Sequence, residues 1–352
     1  MEFVCYADRH QIPESVNTLF NEAAKESIFY SRPWFDNLID HGLEDGQTLL
    51  LAAVVESETV LALLPLTYQE SGYCKSFGHI YSSLFTLLLS NSNRSNALSC
   101  LAEGLKQLPV FSLRLDPIAE TDTDLELLEQ ALILAGFRCH RYFRFFNWYQ
   151  PTSDLCFDAY MSERPSRVRN TVARKSRKLE REHGYHIRLY TDSEIDQGLS
   201  DYTSVYNASW KAHEQYDDFI EGLAHTLSAA GWLRLAVLYI ADQPVAAQFW
   251  FVAHGKASIF KLAYDQAWKH YSPGSILIAY LMKHVIDIDK VDEIDFLTGN
   301  DNYKQDWMAE RRQRWRLHFT NSNSSQQSNL TFTQRLKSLK AKLYNRFFLR
   351  TR

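Results

Sequence analysis

Two apolar hairpins, one in each half of the chain, constrain its fold more than any other feature. Residues 48–55 and 59–68 are apolar runs broken by the polar step Glu56-Ser57-Glu58. Residues 233–240 and 245–252 are a second such pair, joined by Ala241-Asp242-Gln243-Pro244. Each reads as two antiparallel strands around a turn. Laid side by side without a gap, they match Ala52 with Ala236 and Ala62 with Ala246, one constant offset. The surrounding elements keep the same order, so the chain reads as a duplicated α/β unit. In the first half, helical patterns at 95–107 and 124–135 alternate with strand-like stretches at 110–115 and 137–149. Residues 141–149 alternate basic and aromatic side chains. They read as a strand at the lobe junction with one packed face, in preference to a nucleic-acid stacking surface.

Composition narrows the class. The chain has 352 residues, 45% hydrophobic and 23% charged, which fits two folded domains and excludes overall disorder. No run approaches the roughly 20 apolar residues of a membrane helix, and the N-terminus MEFVCYADRH lacks an apolar signal core. Five scattered cysteines without C-x-x-C spacing point to a reducing cytoplasm rather than a disulfide frame or zinc site. The histidines, among them His183, His186, His213, His225 and His270, show no ligand spacing, so no metal is expected. Cys156 lacks a His-Asp partner pattern and is a poor nucleophile candidate. The expected domains are a first lobe at 1–150, a second at 151–320, a polar linker at 321–330 and a basic amphipathic tail at 331–352. That tail has no acidic residue and spaces Leu336, Leu339, Leu343 and Phe347 helically, as a segment lying on an anionic membrane surface does.

Chemistry is concentrated between residues 257 and 307. The β-rich run 257–264 feeds a short loop and then the apolar helical pattern 275–288. A helix starting near Ser272-Pro273-Gly274 presents unpaired N–H groups suited to a phosphate, with Lys269 and Ser275 beside it. Ser-Pro-Gly is equally an ordinary helix start. Residues 291–298 alternate as a strand should, and Gly299-Asn-Asp-Asn places Tyr303 and Lys304 beyond the sheet edge. Tyr303 is the candidate proton donor to a leaving thiolate, and Asp295 or Asp265 the candidate base. The competing reading of both carboxylates is a solvated strand end.

These segments, together with the basic stretch 164–180, Tyr206-Asn-Ala-Ser-Trp210-Lys211 and Trp307, resemble in their order the GNAT acyltransferases linked to cellulose and other polysaccharide biosynthesis. Those are relatives of the Fem-type aminoacyl transferases. The resemblance is strongest over 153–319 and reaches the first lobe through Ser31-Arg-Pro-Trp34-Phe35. It implies an α/β fold of two tandem GNAT-like lobes, in which two strands, here 258–264 and 292–297, splay around the pantetheine arm of acyl-CoA. The pyrophosphate loop of that family has a Gln/Arg-x-x-Gly-x-Gly/Ala pattern. This chain has Lys269-His-Tyr-Ser272-Pro273-Gly274, with Ser in place of the first Gly and Lys in place of Gln or Arg.

The resemblance further implies direct attack of an amine on the thioester, with a backbone N–H stabilising the oxyanion and no metal. It also places Trp210 and Lys211, followed by His213 and Glu214, at an acceptor pocket, although Trp210 by residue type reads as core. The leading expectation is therefore an acetyl-CoA-dependent N-acyltransferase for a small-molecule or glycan amine in polysaccharide or envelope biosynthesis, cytoplasmic and peripheral at the inner membrane. The alternatives are a Fem-type enzyme using aminoacyl-tRNA, with Lys304 and the basic helix on RNA phosphates, and a non-catalytic scaffold. The first lobe lacks a Ser-Pro-Gly counterpart and is expected to be structural.

Overall fold

The computed structural model describes residues 1–69, 71–192 and 194–321, so the linker from 322 onward and the basic tail lie outside the described residues. The first half holds strands β1 (Glu2–Tyr6), β2 (Thr48–Glu56), β3 (Thr59–Gln69), β4 (Tyr73–Ser76), β5 (Leu88–Leu89), β6 (Ser112–Ala119) and β7 (Phe137–Pro151). Its helices are α1 (Val16–Ala24), α2 (Arg32–His41), α3 (Arg94–Gln107) and α4 (Thr123–Leu134). The second half holds α5 (Phe157–Ser162), α6 (Ser166–Glu182), α7 (Ile195–Asn207), α8 (Asp217–Ala229), α9 (Pro273–Asp287) and α10 (Lys304–Trp307). Its strands are β8 (His186–Tyr190), β9 (Leu233–Ile240), β10 (Gln243–Ala253), β11 (Lys256–Tyr264), β12 (Glu293–Asp295) and β13 (Glu310–Asn321).

The duplication extends to backbone detail. Both hairpins turn on two consecutive non-glycine residues with positive φ, Ser57-Glu58 and Ala241-Asp242, as two-residue turns matched to strand twist require. Each then carries a bulge at the matching place. Val54 pairs with Ala62 and Val55 with Val60, leaving Leu61 extra. Leu238 pairs with Ala246 and Tyr239 with Pro244, leaving Val245 extra. Leu61 and Val245 are related by the offset that matches Ala62 to Ala246, so turn, bulge and apolar face recur together.

All strands join one 13-stranded sheet, in the order β1-β2-β3-β4-β6-β13-β7-β12-β11-β10-β9-β8 with β5 beside β3. Each half contains a parallel pair, β4 with β6 and β11 with β12, and each pair is joined over only three residue positions. The final strands are exchanged. β7 of the first half runs beside β12, while β13 of the second half lies between β6 and β7. The sheet of the first half is therefore completed by residues 310–321 from the end of the second. Residues 137–149 do form the junction strand that their pattern suggests.

Alternating side chains of the sheet feed three cores. One, under α3 and α4, belongs to the first lobe, and one, under α5, α6 and α9, to the second. The third lies between lobes, where α1, α2, α7 and α8 pack. Its centre is Trp34, from the Ser31-Arg-Pro-Trp34-Phe35 motif. Ser31 caps α2 by accepting the Trp34 N–H, and Pro33 sits in the first turn, where its missing N–H costs nothing. The Trp34 ring meets Phe29 at 4.6 Å, Phe219 of α8 at 5.8 Å and Phe251 of β10 at 6.3 Å between centroids. Nearby, Asn37 donates to the Phe219 carbonyl, and Gly222 lets α8 approach α2 so closely that a Cβ there would lie 2.6 Å from the His41 ring. Among the described residues no helix is long and apolar enough to cross a membrane.

Trp34 is a single side chain bridging both halves, so its truncation tests the shared core. Trp34→Ala is expected to lower the unfolding free energy by about 3–5 kcal/mol in a urea titration, with one cooperative transition for both lobes.

Candidate active site

The site is built where β11 and β12 part. They pair as Lys256↔Glu293, Ala257↔Ile294 and Ser258↔Asp295, and then separate. The alternation of 291–298 suggests a strand reaching Thr298, but β12 stops at Asp295 because Leu297 turns with φ 53°. Phe296 N–H is taken by the Trp148 carbonyl of β7, and Leu297 N–H by the Asp295 carboxylate. The edge of β11 from Ile259 to Tyr264 is thereby left without a strand on that side. Phe260 forms a bulge in this same stretch, since Phe249 pairs with Lys261 and Trp250 with Ile259. Bulges re-aim side chains at functional edges.

Two buried side chains hold the gap open. Lys304, 4% exposed, points its ammonium at the carbonyls of Phe296 (3.0 Å), Thr298 and Gly299, with Asp301 at 3.6 Å. Asn147 of β7 donates to the Leu297 carbonyl and to Asp295, while its own oxygen accepts from Arg312 and Arg314. Arg312 in turn grips Glu293 and Asp295, each at 2.7 Å. These placements bear on two residues expected in the site. Asp295, expected as a base, accepts from Asn147, the Leu297 N–H and Arg312. Lys304, expected at the substrate, donates to three backbone carbonyls.

At the far end of β11 lies the loop expected to take a phosphate. Asp265 caps a short 3-10 turn by accepting Ala267 N–H, which accounts for that carboxylate structurally. Ser272 adopts φ 54°, ψ 48°, and α9 begins at Pro273. Ser275 and Ile276 N–H groups both turn back to the Ser272 carbonyl, and Pro273 has none. Gly274 sits against the Tyr264 ring, where a Cβ would meet Cδ1 at 3.1 Å, and its carbonyl accepts from the fully buried Gln248. Helix α6 flanks this loop. Lys175 bonds the His270 carbonyl, and Lys178 lies 4.8 Å above the Tyr271 ring. Lys269, Arg169 and Arg174 remain exposed there.

Opposite the loop, the connection between α7 and α8 closes the site. Trp210, placed at an acceptor pocket by the resemblance and in the core by its residue type, is 48% exposed and lies against Tyr264 with centroids 4.6 Å apart. Beneath it Lys211 faces the rings of Tyr206 and Trp210. Burial and the charge of Lys261 lower its pKa to about 8, against the pull of Glu214 and Asp301. Glu214 makes a buried ion pair with Lys261 and accepts from Tyr81 of the first lobe. Burial alone would raise the Glu214 pKa; the bonds from Lys261 and Tyr81 outweigh it and keep the carboxylate ionised. Tyr303 stands at the mouth, its ring edge-on to Phe296 at 5.6 Å. Desolvation and Asp301 raise its pKa above the ordinary tyrosine value, so it stays protonated. Lys261 could have been suspected as one charge in the apolar stretch Ile259-Phe-Lys-Leu-Ala263, but nothing near Tyr81 announces its partner 133 residues away.

Residues 166–305 match the family described as acetyltransferase (GNAT) domain. The fold as a whole is similar to the crystal structure of FemX, with a TM-score of 0.60 at 12% identity over 92% of this chain and 98% of that one. The chain has a tandem GNAT fold. Similar too is a tandem GNAT protein from the clavulanic acid biosynthesis pathway, at TM-score 0.52 and 10% identity over 93% of this chain and 99% of that one. The L-PGS structure from Bacillus licheniformis aligns at 0.52 and 12% identity over 83% and 92%. No curated protein sequence matches significantly. The fold is thus that of GNAT acyltransferases with a structural relation to FemX. Among the described residues no group of His, Cys, Asp and Glu is arranged to hold a metal ion.

Lys304→Met keeps the length of the stem and removes the donor for three carbonyls. It is expected to cost roughly 2–3 kcal/mol in denaturant unfolding and to speed amide exchange at residues 296–299 ahead of the rest of the sheet.

Proposed function

We propose that this chain is an N-acyltransferase that draws an acyl group from coenzyme A into the gap between β11 and β12 and passes it to a primary amine. The observation that carries the reading is the parallel pair that stops after three positions, leaving the β11 edge unpaired. A free main-chain N–H on such an edge polarises a thioester carbonyl and stabilises the oxyanion without reorganisation. The Gly274 N–H, Lys269 and the exposed arginines of α6 are the groups available to the carrier's phosphates.

In this reading the acceptor amine enters between Trp210 and Tyr303. Lys211, neutral in part near pH 8, takes the proton from the ammonium. The amine nitrogen bonds to the carbonyl carbon, the carbon–sulfur bond breaks, the departing thiolate takes its proton from Tyr303, and the nitrogen's second proton passes to the phenolate so that Tyr303 is restored. Glu214, locked to Lys261 and Tyr81, fixes the loop that bears Lys211 and keeps a second cation beside it to hold that pKa down. The amine belongs by expectation to polysaccharide or envelope biosynthesis, and the membrane contact of the tail rests on its sequence.

One observation favours a second reading. With Pro273 lacking an N–H and those of Ser275 and Ile276 bonded to the Ser272 carbonyl, the loop offers fewer free amides than a pyrophosphate cradle needs, and the likeness to FemX covers 92% of the chain. An aminoacyl ester on RNA would then deliver the acyl group, with the phosphates on α6.

Isothermal titration with acetyl-CoA and coenzyme A decides between them. The first reading expects micromolar binding that Gly274→Glu abolishes by driving a carboxylate into Tyr264 and the phosphate position. Absence of any coenzyme A binding, with tRNA binding that weakens steeply with salt, would transfer the proposal to the second donor. In turnover, kcat/KM is expected to rise with pH to a plateau above about 8. Lys211→Met should abolish that limb and lower the rate about 100-fold or more.

A further inference from the structure

The first lobe repeats the parted pair. β4 and β6 join as Tyr73↔Ser112, Cys74↔Leu113 and Lys75↔Arg114 and then diverge, as β11 and β12 do. A cavity of about 250 Å3 opens where they separate, and Thr298, three residues past the end of β12 in the other lobe, forms part of its wall. The wall is cationic. Asp116 is the one carboxylate shared by Arg114 at 3.3 Å, Arg144 at 3.1 Å and Arg316 at 2.8 Å. Lys75 has Glu44 at 3.5 Å. Lys75, Arg114 and Arg144 thus line the cavity against Asp116 and Glu44, while Arg316 draws on Asp116 from outside it, and the buried Arg114 Nε, 3.3 Å from Asp116, meets it without hydrogen-bond geometry.

A second observation points to a ligand at the same place. His79 lines the cavity, is only 8% exposed, and neither of its ring nitrogens has a hydrogen-bond partner. The ring is held by stacking on Phe219 at 4.5 Å and by the edges of Tyr81 and Tyr216. Burial lowers its pKa to about 4, with Lys261 adding to the effect against Glu44 and Glu214, so the ring is neutral at physiological pH. A neutral imidazole carries one donor, and leaving it unmade in a buried site costs free energy.

We propose that this cavity is an anion-binding pocket that seats a carboxylate or phosphate at one end of the acceptor, with Arg114, Arg144 and His79 as the recognising groups. Its role as the acceptor pocket rests on the transferase reading; anion binding itself does not. Thr298 ties the two, because Lys304 fixes its carbonyl at the catalytic gap while the residue borders the cavity. The acceptor class is then an amine that also carries negative charge, such as an amino acid or a phosphorylated amino sugar. The first lobe, on this view, binds substrate in addition to supporting the fold.

The full chain titrated calorimetrically with inorganic phosphate and, separately, with propionate at low ionic strength tests this. Saturable binding of at least one probe is expected, weakened tenfold or more by Arg144→Gln and by His79→Phe, whose ring keeps the stacking, and unchanged by Gly274→Glu. Phosphate alone would identify a phosphorylated acceptor, propionate alone a carboxylated one. Absence of binding by both, or equal binding in the Arg144 and His79 variants, overturns the pocket. A probe that binds but does not compete with the amine during turnover overturns the acceptor role and leaves the anion site standing; loss of coenzyme A binding in the parent protein removes the donor reading without touching this one.

Discussion

Strands that start to pair gain a hydrogen bond for every further pair, so a parallel ladder that stops after three positions needs something to stop it. At β12 that stop is electrostatic. Leu297 leaves the extended region, and the carbonyls of Phe296, Thr298 and Gly299 turn toward the Lys304 ammonium instead of toward β11. Burying an ammonium is expensive, but three carbonyls and a carboxylate nearby replace its water, and each carbonyl would itself be orphaned without it. On the other flank Asn147 ties Leu297 to β7 and is held by Arg312 and Arg314. The open edge of β11 is what these bonds preserve, and every catalytic argument about the protein depends on that edge.

The same geometry explains why the lobes cannot be separated. β7 provides Asn147 and Trp148 to the end of β12, yet it comes from the first half of the chain, and β13 returns to close the first lobe. Tyr81 crosses in the same direction to reach Glu214. A charged pair as buried as Glu214 and Lys261 adds little stability by itself, since desolvation offsets its attraction. Its value lies in position: it pins the segment bearing Trp210 and Lys211 against β11, and it places a cation where the Lys211 pKa responds to it.

Much of the fold was legible because periodicity and order survive in the sequence. The hairpins, the strand read at 257–264, the helix after Ser272 and the junction strand read at 137–149 all stand, within a residue or two, where alternation or helical spacing put them. The end of β12 was not legible, because Phe296-Leu297-Thr298 alternates as well as a strand does and the force that bends it comes from a lysine eight residues on. Asp295 and Lys304 were singled out as polar groups at a strand end; their partners, which decide that they hold structure, come from β7 and β13. Trp210 went the other way, since its size argues for burial while the short α7–α8 connection leaves it beside Tyr264 at the surface. His79 had no signal, for a lone histidine in a loop gains meaning only from the rings and arginines that the fold brings around it.

The two parted pairs show what duplication leaves free to change. After β11, nine residues into the chain, α9 has already started, and its N-terminus lies at the gap. After β4 the equivalent helix, α3, begins only at Arg94, and the intervening segment carries His79 and Tyr81 into the junction. The first lobe therefore has no helix end at its gap, and what gathers there is side-chain charge from β6 and β7. A helix N-terminus and free main-chain amides favour a ligand recognised by its backbone-like carbonyl and phosphates, whereas guanidinium groups around one overcommitted carboxylate favour a compact anion. One sheet, parted twice after three paired positions, thus gathers a helix N-terminus at one gap and guanidinium groups at the other, and Thr298, whose carbonyl Lys304 holds at the first gap, borders the cavity at the second.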